Sequence, residues 1–591
     1  MSQKIALQLL TLVLLSLGIQ HAFGHNQEPD WLDEQKLDGG VYVNVRHPSV
    51  LRNPYPFKIR VIVSNVNGKT NVRVREIRYV WPAGAGMVTH SFNHKLRSKR
   101  KWFQKHQSLE EQFSRLIRPD SAEKASELAQ QRMALRVNIA AGMFSDAYLV
   151  DPIILPELWD VLHMIVEVDL EQGGSMRTVR KTIEIPIQAP LPDGSRSERI
   201  MRYDAVTGKL TTMSSTVETG VGEEFWFAGD QHLHTQYSID AYFLNGNRSN
   251  VSDYAATAQA TGLDWIVVTD HSNIDFNFFG NRWYTQDQFD AGTAQAAQFR
   301  NEFGFLVLNG QEMGAGSGDP SHVLAYPADA ETTGFLPNPC AGGLFAHRDC
   351  EHEQTILDRI NDAGGIGFLA HPFQSNSGFF SPWNFDNGVT GWAGLEIFNS
   401  NSGTFTGADL QALTKWVELL NNIAPPTGGE LQPRANYPTR FPIGLGNSDA
   451  HDPGLIGNTF TYCRAPTAMR EAIMNSLVGG NCIASNGPLA FVEINGAGPG
   501  QVAAIYSEGN TISVTIQSTP EFGAAGNFSV QLIINGINAV SIPPNGSPEY
   551  STTMVFENVF IHPMLNYIVA VASSPSGWLS IANPVWIESQ L

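Results

Sequence analysis

Charged side chains are scarce in this sequence of 591 residues, where Asp, Glu, Lys and Arg together make up 16%. An average soluble domain contains about 25%. The 38 basic residues are outnumbered by 57 acidic residues, the formal charge is −19, and no long basic tract occurs. Because phosphate backbones are bound by clustered Lys and Arg, we expect no stable nucleic-acid binding.

Long apolar stretches are also rare. Residues 5–19 form one apolar run, which follows Lys4 and precedes Ala22-Phe23-Gly24. A basic start, a short apolar run and a small-x-small site are typical of a secretory signal peptide, so residues 1–24 are predicted to be removed. We therefore expect a protein exported to the periplasm or the extracellular space. No second stretch of about 18 apolar residues occurs, which predicts no membrane span.

Cysteine is limited to four residues. In an oxidising compartment their spacing predicts two disulfides, Cys340 with Cys350 and Cys463 with Cys482. A zinc site built from these thiols would require the closer C-x-x-C spacing. The sequence also lacks a G-x-S-x-G element, so it offers no serine nucleophile of that type.

The first third of the chain alternates apolar and polar residues. Residues 57–63 and 72–77 flank Asn67-Gly68, which is typical of a β-hairpin. A helical stretch at about 95–143 interrupts this pattern, and its basic leading edge is better explained by a solvated helix face than by a nucleic-acid surface. We predict an N-terminal β-sandwich over residues 36–222 with this helical insertion.

Between residues 224 and 485, short apolar runs alternate with segments of helical period. The apolar runs are residues 225–228, 265–269, 305–308, 323–326, 366–370, 395–398 and 442–445, and the helical segments include 286–302, 353–363, 406–422 and 466–478. Strands that each feed a helix predict an α/β fold, and seven of them suggest a barrel. From residue 486 to 591 the alternation returns, which predicts a second, smaller β-sandwich.

Polar residues gather at the edges of the predicted barrel strands. His232 and His234 are two positions apart, as are Asp449 and His451, and such residues on an extended chain point to the same side. Asp240, Asp270, His271, Glu312, His322 and His371 occupy other strand edges. A lone His beside an apolar run is usually structural, but six of the eight His in this part of the chain lie at such edges.

In a (β/α) barrel the carboxyl ends of different strands converge on one mouth. Imidazoles and carboxylates are ligands that suit Zn, Fe or Mn, and a set this large implies more than one ion. The sequence therefore predicts a centre of two or three divalent metal ions.

The ordered motifs of this segment are His232-x-His234-Thr235, Thr269-Asp270-His271, Gly310-x-Glu312, His322, His371-Pro372 and Ser448-Asp449-x-His451. Together they resemble the motif set of the PHP (polymerase and histidinol phosphatase) superfamily. The export signal, the flanking β domains and the Asn486-Gly487-Pro488 segment are most similar to its carbaryl-hydrolase-like CehA/McbA branch. The resemblance covers residues of about 226–490.

The resemblance implies a distorted seven-stranded barrel with two or three metal ions. It assigns the first ion to His232, His234, Glu312 and Asp449. Glu312 would bridge to a second ion that also takes His322 and His371, and Asp240, His271 and His451 would hold the third. One departure concerns Ile239, which separates Ser238 from Asp240, because in the family the acidic residue usually follows this Ser directly. A two-metal enzyme is therefore the alternative to a three-metal enzyme.

We expect hydrolysis by water that the ions activate, with Glu312, His371 and Asp449 acting through that water. The superfamily favours a phosphate ester of a small molecule as substrate. Three alternatives stay open: a carboxyl or carbamate ester hydrolase, a nucleotide or oligonucleotide phosphodiesterase, and a binding protein without turnover.

Three further residues are predicted to lie behind the ligands. Asp270 is expected to orient a ligand imidazole through its second ring nitrogen. Glu396 and Asn399 end another predicted strand, where substrate contact and structural hydrogen bonding are equally compatible with the sequence.

Overall fold

The computed structural model describes residues 41–52, 59–65, 71–80, 87–96, 145–149, 161–192, 200–204, 209–213, 224–238, 249–272, 284–316, 321–338, 350–373, 388–562 and 564–589, with residues 241, 247 and 385. Several predictions fall outside these residues: the signal peptide at 1–24, nearly all of the helical insertion, Asp240 and Cys340. They stay predictions.

The N-terminal part contains two antiparallel sheets, of order β1-β2-β5 and β4-β3-β6-β7. Their strands are β1 (Tyr42–Arg46), β2 (Arg60–Ser64), β3 (Val72–Val80), β4 (Met87–Leu96), β5 (Ser145–Leu149), β6 (Val161–Gln172) and β7 (Ser175–Pro186). Alternate residues of β3 and β6 are buried, and both sheets contribute valines to one apolar core. This is the sheet-on-sheet arrangement that the alternating pattern predicts. β4 extends two residues into the stretch that was predicted to be helical.

The middle part is mixed α/β. Its strands are β10 (Phe225–Asp230), β11 (Trp265–Val268), β12 (Leu306–Asn309), β13 (Gln311–Ala315), β14 (Ser321–Pro327), β15 (Gly365–Ala370), β16 (Trp392–Asn399), β17 (Ile443–Asn447), β18 (Phe460–Ala465) and β19 (Cys482–Ser485). Its helices are α1 (Val251–Ala260), α2 (Gln286–Phe303), α3 (Glu353–Asp362), α4 (Gly407–Leu420) and α5 (Arg470–Gly479). Each of the seven predicted apolar runs lies at a strand, and each of the four predicted helical segments contains a helix.

Strands that each feed a helix would all be parallel, and one of the seven predicted strands is not. Strands β10, β11 and β12 are parallel, and so are β15, β16 and β17, but β14 is antiparallel to both β13 and β15. The pattern of apolar residues reports burial and carries no information on strand direction, so the sequence did not separate this strand from its parallel neighbours.

Two links join the sheet that contains β10–β12 to the sheet formed by β13–β17. Gly310 alone separates β12 from β13, and a Cβ atom there would lie 2.3 Å from the carbonyl oxygen of Ala325. Beyond the ends of β10 and β17, Leu233 and Ala450 form a parallel bridge. These links bring the carboxyl ends of β10, β11 and β15–β17 together.

The C-terminal part is built from β20 (Leu489–Ile494), β21 (Val502–Ile505), β22 (Asn510–Gln517), β23 (Ser529–Ile534), β24 (Ile537–Ile542), β25 (Ser551–Val559), β26 (Tyr567–Ser573), β27 (Leu579–Ala582) and β28 (Val585–Ser589). β27 pairs with β19, so one large sheet runs from the middle part into the C-terminal part. Cys463 and Cys482 face each other on β18 and β19 and form the predicted disulfide.

Two more strands differ from the predicted domain boundary at residue 222. β8 (Ile200–Asp204) and β9 (Lys209–Met213) form a hairpin, and β8 pairs in parallel with β25 in the sheet β20-β22-β25-β8-β9. These residues therefore belong with the C-terminal sheet. The sequence did not indicate this, because backbone pairing with a distant strand leaves no local signal.

None of the helices in the described part of the chain could span a membrane.

Candidate metal centre

The bridge between Leu233 and Ala450 brings the first and last motifs together. His234 donates its backbone N–H to Ala450 at 2.9 Å, and Ala450 donates to His232 at 3.2 Å. The side chains on either side of the bridge then meet: Asp449 Oδ1 lies 3.4 Å from His232 Nε2 and 3.1 Å from His234 Nε2. The predicted pairing of two motifs that are distant in sequence is thus present.

Glu312 lies at the centre of the cluster and is 1% exposed. Its Oε2 atom lies 3.3 Å from His232 Nε2, 3.2 Å from His234 Nε2 and 3.1 Å from His271 Nδ1. Its other oxygen, Oε1, faces a different pair of imidazoles, with His322 Nδ1 at 2.7 Å and His371 Nε2 at 3.2 Å. The two oxygens of one carboxylate therefore point to two sets of nitrogen donors.

Eight of the nine predicted ligands come together, and the ninth, Asp240, lies outside the described residues. Four overlapping groups of side chains are close enough to hold an ion: His234 with His271 and His451, His232 with His234 and Glu312, His232 with His371 and Asp449, and His271 with Glu312 and His322. Three memberships differ from those implied by the resemblance, since His234 also joins His271 and His451, His271 also joins Glu312, and His371 also joins Asp449. The centre is one continuous cluster of donors.

The chemistry of the donor atoms fits metal ions. The buried atoms His232 Nε2, Glu312 Oε2 and Asp449 Oδ1 have no hydrogen-bond partner within the described part of the chain, although buried polar atoms normally have one. Metal–nitrogen and metal–oxygen bonds of about 2.1 Å place neighbouring ligand atoms roughly 3.0–3.4 Å apart around one ion. Glu312 Oε2 and Asp449 Oδ1 each lie 3.1–3.4 Å from the Nε2 atoms of His232 and His234, which matches that spacing.

The electrostatics also favour ionised carboxylates. Burial alone would raise the pKa of Glu312, but the imidazoles of His271, His322 and His232 outweigh it and lower that pKa well below its usual range. Burial likewise opposes ionisation of Asp449, and the same kind of imidazole contacts lower its pKa. Burial lowers the pKa of His232, but the carboxylates of Asp449, Glu396 and Glu312 have the larger effect. The pKa of His232 therefore lies well above its usual value. An arriving cation would therefore displace protons from this cluster.

Two of the predicted ligands have an unusual backbone. His371 has φ of 26° and Asp449 has φ of 53°, the left-handed region that residues other than glycine seldom adopt. The spacing of Asp449 and His451 suggests an extended segment, but the backbone of Asp449 is not extended. Such conformations cost about 1–3 kcal/mol each and persist only where the surrounding contacts enforce them.

Glu396 lies behind the ligands and makes structural hydrogen bonds. Its Oε1 lies 2.9 Å from His232 Nδ1 and accepts from Asn447 at 2.8 Å. Its Oε2 accepts from the backbone N–H of His371 and from Asn399, both at 2.7 Å. These contacts are hydrogen bonds within the protein, and substrate contact by Glu396 or Asn399, the other role that the sequence allows, stays a prediction.

Asp270 is bonded to the segment that follows His234. Its carboxylate accepts hydrogen bonds from the backbone N–H and the hydroxyl of Thr235, at 2.6 and 2.7 Å. Its expected contact with a ligand imidazole stays a prediction, and Glu396 makes a contact of that kind with His232 Nδ1.

Two residues of the site belong to the sequence motifs but were given no role there. Ser238 Oγ lies 2.8 Å from His234 Nδ1 and accepts the backbone N–H of His271 at 3.0 Å. Asn447 connects Glu396 to the backbone N–H of Gln231. Their positions in these motifs were the available signal.

Comparison with known proteins adds little to this geometry. No family model and no curated protein matches the chain. Solved structures include β-glucuronidase 3 of Bacteroides uniformis, with 9% identity over 93% of this chain and 64% of that one at a TM-score of 0.16. A Parabacteroides merdae β-glucuronidase has 8% identity, the same two coverages and a TM-score of 0.17. A β-glucuronidase from glycoside hydrolase family 2 has 10% identity over 93% of this chain and 50% of that one, at a TM-score of 0.14. This chain spans less than two thirds of the length of each, and TM-scores this low carry no argument.

Proposed function

We propose that this protein is an exported metal-dependent hydrolase with a PHP-type barrel, and that it cleaves phosphate esters of small molecules. The observation that carries the proposal is the position of Glu312, whose two oxygens face two separate sets of imidazoles. A carboxylate placed in this way is suited to bridge two cations.

The predicted ligands would form three sets, one for each ion. His232, His234 and Asp449 would hold one ion with Glu312 Oε2, and His322 and His371 would hold a second with Oε1. His271 and His451 would contribute to a third ion together with Asp240. When bound, divalent Zn, Mn or Fe would lower the pKa of a water molecule and neutralise charge that develops on the substrate.

Access to the centre is uneven, which indicates where a substrate would approach. The side chains of His232 and Glu312 are 0% and 1% exposed, whereas those of His371 and His451 are each 14% exposed. The more accessible side of the cluster is therefore the one that carries His371 and His451. Two divalent ions would bring more positive charge than Glu312 and Asp449 cancel, which favours an anionic substrate.

The phosphate ester assignment rests on the resemblance to the PHP superfamily, and the similarity to the CehA/McbA branch makes carboxyl or carbamate esters the second candidate. Export is supported by the buried Cys463–Cys482 disulfide, because disulfides persist in oxidising compartments.

The test is hydrolysis of three substrates, nitrophenyl phosphate, bis-nitrophenyl phosphate and naphthyl carbamate, each with and without added Mn²⁺ or Zn²⁺. Metal-dependent release of nitrophenol from the monoester or the diester is the expected result. Metal-dependent cleavage of the carbamate alone would replace phosphate ester hydrolysis by the second candidate. If the protein binds metal but hydrolyses none of the three substrates, the proposed hydrolase is contradicted and a binding protein is favoured.

A further inference from the structure

The Glu396 carboxylate accepts four N–H donors, two on each oxygen. The donors on Oε1 are His232 Nδ1 and Asn447 Nδ2, and those on Oε2 are the backbone N–H of His371 and Asn399 Nδ2, all at 2.7–2.9 Å. Glu396 is itself 1% exposed. Only a carboxylate offers acceptors on both oxygens, because a protonated acid or an amide would direct a donor toward one of these pairs.

We propose that Glu396 is a positioning residue that prepares one ligand for each of the two ion sets that meet at Glu312, an inference that rests on the proposed function. His232 belongs to the set at Glu312 Oε2, and His371 belongs to the set at Oε1. Glu396 therefore contacts both sets from behind while the ions would lie in front of them.

For His232 the effect is on the position of the ring proton. A neutral imidazole carries one proton, and Glu396 holds it on Nδ1 by accepting that hydrogen bond. The lone pair is then on Nε2, the atom that lies near Glu312 and Asp449. Holding the proton behind the ring makes the front nitrogen available as a ligand.

For His371 the effect is on the backbone. Glu396 accepts the N–H of this residue, whose φ of 26° is unfavourable, and so stabilises the turn that directs the imidazole to Glu312. The same carboxylate also holds Asn447, two residues before Asp449, which is the other ligand with positive φ. Glu396 is thus connected to both strained positions of the centre.

Glu396→Gln separates this role from simple space filling. The amide has nearly the same shape, but its NH₂ group must face one of the two pairs of donors. If it faces His232, the ring proton moves to Nε2 and blocks the ligand atom. If it faces His371, the backbone N–H loses its acceptor. In either orientation at least one ion set is impaired, although the volume is conserved.

The experiment is a titration of metal-free full-length protein with Zn²⁺ in competition with a chromophoric chelator. Glu184→Gln is the matched control, since Glu184 occupies an exposed position of β7 in the N-terminal part and is 63% exposed. We expect Glu396→Gln to bind Zn²⁺ about 10–100-fold more weakly than the wild type. We expect Glu184→Gln to bind it as the wild type does.

Thermal unfolding of the metal-free proteins gives the readout that distinguishes positioning from structure. A purely structural role would lower the unfolding temperature of Glu396→Gln and leave Zn²⁺ affinity unchanged in the folded protein, and that result would overturn the inference. If Glu396→Gln does not fold, Asn399→Ala keeps the carboxylate but removes one donor, and a smaller loss of affinity is expected. Wild-type affinity in Asn399→Ala would then overturn the inference. Failure of the proposed function is recognised separately in the hydrolysis assays, because a wild type that binds Zn²⁺ and cleaves none of the three substrates would contradict the hydrolase and leave the comparison of Zn²⁺ affinities intact.

Discussion

Leu233 and Ala450 form a parallel β-bridge in which Ala450 is hydrogen-bonded to the backbone of His232 and His234, although each partner lies just beyond the end of its own strand. Leu233 is flanked by His232 and His234, and Ala450 is flanked by Asp449 and His451. One short backbone contact therefore sets four predicted metal ligands opposite one another. The central position between them is taken by Glu312.

Glu312→Ala should abolish hydrolysis and lower the number of metal ions bound per chain. Removal of the carboxylate eliminates the one group whose oxygens face both sets of imidazoles. Activity with saturating metal and metal content by elemental analysis are the measurements. His163→Ala is the control, since His163 is 51% exposed and pairs with Glu184 on the N-terminal sheet. A Glu312→Ala protein that is active and fully loaded would refute the bridging role.

Removal of metal should lower the thermal stability of the protein. Ions that bind only the folded state stabilise it by about 2.7 kcal/mol per site when free metal exceeds the Kd 100-fold. We expect a chelator to lower the unfolding temperature of the wild type and restored metal to raise it again. In Glu312→Ala the chelator should have a much smaller effect. An unfolding temperature of the wild type that does not respond to chelator and metal would contradict the account.

Much of the secondary structure was predictable because its signals are local. The strands of the middle part are short apolar runs, and α2 and α4 begin with capping boxes, Thr285 with Gln288 and Thr406 with Asp409. Helix α1 was not predicted although Asn250 and Asp253 form a capping box there, because eight of its ten residues are buried and it lacks the exposed polar face by which a surface helix is recognised. The direction of β14 and the pairing of β8 with β25 depend on distant strands.

The candidate site shows the same division. The predicted ligands follow from residue type and position at strand ends, and the described ones do converge. The roles of Asp270 and Glu396 depend on which neighbours their oxygens reach. Glu396 is fixed by Asn399 on its own strand but also by Asn447 on β17 and by His371 just after β15. Contacts between side chains that are distant in sequence leave no pattern in a single sequence.

Asp409 should make stability depend on pH. It accepts hydrogen bonds from the backbone N–H groups of Asn399 and Thr406 at the start of α4, and burial raises its pKa from 3.8 to about 7. Between these pKa values the folded state holds a proton that the unfolded state has lost. The stabilisation is therefore complete below about pH 4 and is lost as the pH rises to about 7, with a slope of at most about 1.4 kcal/mol per pH unit.

Asp409→Asn imitates the protonated acid and removes this titration. We expect the free energy of unfolding in urea to fall less steeply between pH 5 and pH 7 in the variant than in the wild type. Midpoints measured at pH 5, 6 and 7 provide the comparison. Identical slopes in the two proteins would show that Asp409 does not titrate in this range.

Gly310→Ala should disturb the site through the backbone. The added Cβ atom would lie 2.3 Å from the carbonyl oxygen of Ala325, so the junction that places Glu312 must move. We expect a loss of about 1–3 kcal/mol in stability together with weaker metal binding. Gly292→Ala in α2 is the control, because the nearest atom to its Cβ would be 3.5 Å away, and helix propensity predicts a gain of up to about 1 kcal/mol. Equal stabilities and metal affinities in the two variants would argue against this explanation of the Gly310-x-Glu312 motif.

Anomalous diffraction from crystals of the metal-loaded protein, recorded at the absorption edge of the bound metal, would show directly whether ions bind on both sides of the Glu312 carboxylate. We expect one peak among Glu312 Oε2, His232, His234 and Asp449, and a second beside Glu312 Oε1, His322 and His371. Absence of peaks at Glu312 in crystals of a protein that contains metal would contradict this expectation.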